Sequence, residues 1–153
     1  MSVKNVAQEQ YQRLADGATS HSSLRTPPEG WLRTVRKALG MSGAQLGKRM
    51  ELTRARIAQA EHSELTGAAT LKSMQAAAEA MGCRFVYAIV PDKRIEDLII
   101  SRARRKAAAL VGTANTHMAL ESQNLPEKKI AAEVERLAGD LAREMPPDFW
   151  SDN

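Results

Sequence analysis

One stretch constrains this chain more than any other: Met41-Ser-Gly-Ala-Gln-Leu-Gly-Lys-Arg-Met-Glu-Leu-Thr-Arg-Ala-Arg-Ile-Ala-Gln-Ala-Glu61. Leu46, Gly47 and Met50 recur at helical spacing, a break follows, and Leu52, Ile57 and Ala60 then supply a second apolar face. Two short helices that bury facing stripes across a tight turn make a helical hairpin. The second helix opens at Thr53, and its outward residues are Arg54, Ala55, Arg56 and Gln59. Arginine forks fit phosphate oxygens and guanine edges, and glutamine fits adenine. The pattern therefore predicts a hairpin that reads DNA, where the periodicity alone would fit any helical bundle.

The rest of the chain is expected to be mostly α. Six aromatics in 153 residues leave the core to Ala, Leu, Ile, Val and Met. The single cysteine, Cys83, excludes an internal disulfide framework and reads as a small buried apolar residue behind a helix-ending glycine. No run of about 18 apolar residues predicts a membrane span, and the N-terminus lacks the apolar stretch of a signal peptide, so a cytoplasmic protein is expected. The formal net charge is +4, but its distribution says more. From Arg25 to His62 there are eight Lys/Arg against three Asp/Glu, whereas from Glu121 to Asp152 there are four against eight. A basic body with an acidic tail suits a protein that touches nucleic acid at one end, although solvated helix faces of unequal sign give the same count.

Four segments follow from the punctuation. Residues 1–26 read as an N-terminal helix, with Val3, Ala7 and Leu14 on one side, and a linker. Residues 27–83 read as the helix-turn-helix domain, in which Pro28 starts a helix running to Leu39, Thr70 opens another, and Gly82 closes it. Residues 84–91 form the one β-rich run, centred on Phe85, Val86, Tyr87, Ala88 and Ile89. A lone strand cannot satisfy its own backbone, so pairing with the same strand of a second copy, as a homodimer, is expected. The alternative is an apolar segment without a ladder. Residues 92–153 read as two helices and a tail. Ile130, Val134, Leu137 and Leu141 recur as a seam, and Phe149 and Trp150 follow a stiff Pro-Pro pair. The seam and the aromatic pair are assigned to partner binding, against the alternative of a strap folded on its own domain.

Enzyme chemistry finds no support. His21, His62 and His117 lie far apart, none at metal-ligand spacing with Cys83, so neither a metal nor a cofactor is expected. Gly43-Ala-Gln-Leu-Gly-Lys-Arg49 is one residue short of a phosphate loop and carries Arg49 where magnesium needs a hydroxyl.

With these residues in view, the region from Gly30 to Gly82 resembles the lambda-repressor-like helix-turn-helix family of the xenobiotic-response-element type, through Leu46-Gly47, Thr53, Ile57 and Glu61. Further stretches are similar to the bacterial family called mobile mystery protein A: Pro28-Glu-Gly-Trp31, Gly40-Met-Ser42, Thr70-Leu-Lys72, Ala78-Glu-Ala-Met-Gly-Cys83, Val86-Tyr-Ala-Ile-Val-Pro91 and His117-Met-Ala-Leu-Glu-Ser-Gln123. That resemblance implies a nucleoid-associated repressor of double-stranded operator DNA that is also the antitoxin of a Fic-domain toxin. The alternative is an interaction module that neutralises its partner without useful DNA binding.

Carried over by position, Arg54, Ala55 and Gln59 face base edges, Arg56 takes phosphate or base, Thr53 caps the recognition helix, and Glu61 ties the hairpin through an ion pair. Two departures stand out. Glu51 occupies the turn where glycine is usual, which requires a left-handed backbone or a shifted turn. Gly43 stands where relatives place glutamine, leaving Ser42 as cap and Gln45 and Lys48 as phosphate contacts. The Ser/Thr-xxx-Glu-Gly/Asn motif of Fic inhibitors is missing, because the residue four before Glu29-Gly30 is Arg25.

Overall fold

A computed structural model describes residues 3–120 and 126–152; Glu121, Ser122 and Gln123, which carry part of the resemblance, lie outside the described residues. Among the described residues there are seven α-helices: α1 Val3–Gly17, α2 Trp31–Ala38, α3 Gly43–Met50, α4 Arg54–Thr66, α5 Leu71–Ala80, α6 Ile95–Leu120 and α7 Glu127–Glu144. None is long and apolar enough to cross a membrane. The chain divides into two compact units, His21–Ala88 and the discontinuous pair Met1–Ser20 with Ile89–Asn153.

The first unit packs α2 to α5 around Leu32, Leu46, Ile57, Met74, Ala77 and Met81, with Val35, Met41, Met50 and Phe85 against them. Its first helix starts three residues later than the prolines predict. Pro27 accepts a turn bond from the Gly30 N–H, Gly30 takes φ 83°, and the helix opens at Trp31. The reason is remote in sequence. Both carboxylate oxygens of Glu64 accept from the N–H groups of Trp31 (2.6 Å) and Leu32 (2.9 Å), capping α2 from α4. A Cβ on Gly30 would lie 2.9 Å from the Glu64 carboxyl carbon, so the cap requires glycine there twice over. Thr70 caps α5 through the Ser73 N–H (3.1 Å), and Gly82 leaves the helix end at φ 75°. Leu39, just past the end of α2, is exposed, and so is Cys83. Cys83 is therefore not the buried residue that its neighbours suggested.

The expected strand does not form. Among the described residues no strand is present, and residues 84–91 run without regular structure. No backbone hydrogen bond ties residues 84–93 to the rest of the described chain. A ladder needs a second strand, and one chain of helices has none to offer. Phe85 still packs on the domain core and stacks on Tyr87 at 6.1 Å, while Val86, Tyr87, Ala88 and Ile89 are exposed, Ile89 by 93%.

In the second unit α6 and α7 pack on each other around Ile99, Ala103, Ala107, Ala138, Leu141 and Phe149. Ala103 and Ala107, four residues apart and fully covered, let the helix axes approach closely. α1 joins through Asp16, whose Oδ1 accepts from the Ile95 N–H (2.8 Å) at the start of α6. Val3 and Leu14, grouped by period on one side of α1, are exposed.

After Met145, left-handed at φ 43°, the chain turns through Pro146-Pro147 and folds back as a strap. Phe149 is only 1% exposed. Arg102 holds the strap through the carbonyls of Phe149 (2.8 Å) and Ser151 (2.5 Å) and the Asp152 carboxylate (2.8 Å), and Lys106 binds the Asp148 carbonyl and carboxylate. The seam and the aromatic pair assigned above to partner binding lie along this strap and α7. Leu141 and Phe149 are buried in the unit's own core, Val134 and Leu137 pack on it, and Ile130 is half-buried, because these are the apolar groups available to cover α6. Trp150, edge-on to Phe149 at 5.0 Å, stays 58% exposed.

Candidate nucleic-acid interface

The site is built by two helix starts and the turn between them. Ser42 caps α3: its Oγ accepts from the Gln45 N–H (3.0 Å), while the Gln45 Oε1 accepts from the Ser42 N–H (2.7 Å). This reciprocal box satisfies two helix-terminal donors and leaves the Gln45 amide nitrogen to donate outward. At the other end of α3, Glu51 adopts φ 58° and ψ 37°, the first of the two solutions its position allows. The Leu52 N–H then donates to the Gly47 carbonyl at 2.7 Å and closes the turn. Gly47 must be glycine, because a Cβ there would meet the Leu52 carbonyl oxygen at 2.6 Å. Thr53 restarts the helix by accepting from the Arg56 N–H (3.2 Å).

The outward face of α4 follows from its inward one. Ile57, 2% exposed, anchors the helix to the core; Ala55, Arg56 and Gln59 turn away from it, and Arg54, on the same side as Ile57 but in the first turn, is exposed as well. Gly43 brings the two helix starts together: a Cβ there would touch the Arg54 side chain at 3.7 Å and Ile57 at 3.9 Å. Ser42, Gln45, Lys48 and Thr53 are exposed as well, with Gln45 and Lys48 bordering a groove beside Leu39, Gly40 and Met41. Among the described residues Lys48, Arg54 and Arg56 have no ion-pair or side-chain hydrogen-bond partner. Free cations around a convex helix start are what a polyanion requires.

Glu61 sits behind this face, where its position suggested. It pairs with Arg36 (Nε to Oε1 2.5 Å), and the same guanidinium donates to the Met41 carbonyl (2.9 Å), locking α2, the following turn and α4 together. Sequence reasoning did not name Arg36 as that partner, nor Glu64 as the cap of α2, nor Arg49, whose Nε donates to the Ala80 carbonyl (2.7 Å) and ties α3 to α5. All three act across at least 25 residues of sequence, where spacing carries no signal.

Four short helices with a capped, glycine-tight turn and an exposed cationic second helix define a helix-turn-helix module. Residues 32–87 match the family model HTH_3, described as Helix-turn-helix, and this segment is a helix-turn-helix domain of the lambda-repressor-like kind. No curated protein and no solved structure matches the chain. The match reaches the DNA-binding class and does not extend to a particular antitoxin family or to a Fic-domain association.

Proposed function

We propose that this protein is a sequence-specific transcriptional repressor that binds operator DNA as a homodimer and doubles as the antitoxin of a Fic-domain toxin. The observation that carries the DNA-binding part is the start of α4, where Arg54, Arg56 and Gln59 are exposed and unpaired around a buried Ile57. Arg54 and Gln59 read base edges, Ala55 lies against a thymine methyl, and Ser42, Gln45, Lys48, Thr53 and Arg56 take phosphates.

Dimer formation is supported by residues 85–89, whose backbone is unpaired and whose Val86, Tyr87 and Ile89 side chains face water. Pairing with the same segment of a second copy would satisfy both and would set two recognition helices on a palindrome. The antitoxin role rests on the resemblance given in the sequence, and Trp150 is the aromatic of the partner-binding set that is exposed for it. A gel-shift with DNA from upstream of the protein's own gene tests the main reading. A retarded band that resists unrelated competitor supports it, and equal competition by any DNA removes sequence-specific repression in favour of an interaction module.

A further inference from the structure

A cavity of about 400 Å³ opens in the helix-turn-helix domain between the hairpin turn and the first half of α5. Its walls are Met50, Leu52, Ile57, Ala60, Ala76 and Ala77. Three of these side chains stop at Cβ and leave room beside the larger Met50, Leu52 and Ile57. Leu52 and Ala76 on its rim are exposed, so the space opens to solvent as a groove, and its volume lies within the range of small-molecule sites, about 300–1,000 Å³.

The polar groups on the lining narrow the ligand. Thr70 Oγ1 accepts from the Ser73 N–H and Ser73 Oγ donates to the Thr70 carbonyl (2.8 Å), so both hydroxyls are engaged in capping α5. Glu61 is neutralised by both nitrogens of the Arg36 fork. Lys72 is different: it lines the cavity, is exposed, and has no ion-pair partner among the described residues. We propose that this cavity binds a small amphiphilic carboxylate, its chain among Leu52, Ile57 and Ala76 and its carboxylate on the Lys72 ammonium. The site is independent of the DNA-facing side of α4 and stands or falls without it.

Octanoate, kept below micelle-forming concentrations, is the probe for the full-length chain, read by methyl chemical shifts. Saturable shifts of the Met50, Leu52 and Ile57 methyls are expected, with those of Leu14 and Ile89 unmoved. Lys72→Ala should weaken octanoate about tenfold, the scale of one charge-assisted hydrogen bond, down to the affinity of octanol. Ala76→Phe should fill the cavity and abolish the shifts. Equal affinities for octanoate and octanol, or a Lys72→Ala variant that binds as wild type, overturn the carboxylate assignment. Shifts spread over Leu14 and Ile89 would mean adsorption to exposed apolar groups and overturn the site itself. Should Ala76→Phe fail to fold, the wild-type comparison of octanoate with octanol decides alone.

Discussion

A Cβ on Gly47 would meet the carbonyl oxygen of Leu52, and that oxygen belongs to the backbone of the turn rather than to a side chain that can swing away. Gly47→Ala must therefore push α3 and α4 apart, and a loss of about 1–3 kcal/mol in denaturant unfolding is expected from overpacking. Glu51 presents the opposite case. It holds a left-handed conformation without being glycine, so Glu51→Gly is expected to raise stability by about 0.5–1 kcal/mol, seen as a higher unfolding midpoint at unchanged slope. On the face proposed to read DNA, alanine at both Arg54 and Gln59 should erase discrimination between operator and unrelated DNA while the protein stays folded, each lost bidentate pair costing about 1–3 kcal/mol. Lys48→Ala should instead weaken all sequences alike and flatten the salt dependence by about one unit of slope. If the double substitution weakened every DNA equally in anisotropy titrations, the assignment of α4 as the reading helix would be lost.

Among the elements, the strap after α7 supplies the sharpest contrast between neighbours in sequence. Phe149→Ala empties the core of the second unit and should cost about 3–5 kcal/mol, whereas Trp150→Ala removes an exposed ring and one edge contact, worth about 1 kcal/mol. Differential scanning calorimetry separates the two, and equal losses would contradict the burial described. The same strap explains how far residues alone carry the architecture. The hairpin could be read from sequence because its signals are local: a cap at Ser42, a cap at Thr53 and two apolar periods within 21 residues. The strap could not, since Arg102, which holds it, lies 47 residues from Phe149. The start of α2 escaped for the same reason. Proline placement suggested Pro28, but Glu64 caps Trp31 from 33 residues away, and a distant carboxylate outweighs a local preference. The strand at 84–91 was inferred from β-rich composition, which reports side-chain preference and says nothing of whether a second strand exists to complete the ladder.

For the whole molecule, the proposed dimer makes the segment at residues 85–89 the decisive test. Val86→Pro removes an N–H donor that a paired segment would use, and sedimentation should then show a monomer with operator affinity lost alongside. A dimer that survives the change would move the two-fold contact to another surface. The discontinuous make-up of the second unit has a consequence in time. α1 leaves the ribosome ahead of the helix-turn-helix unit but finds its partner, α6, only after that entire unit has been made. At roughly 5–20 residues per second, α1 waits on the order of 4–16 s as a lone helix too short to hold itself together. Synthesis thus passes through a stage in which the helix-turn-helix domain is complete while the other unit, split on either side of it in the sequence, is not yet closed.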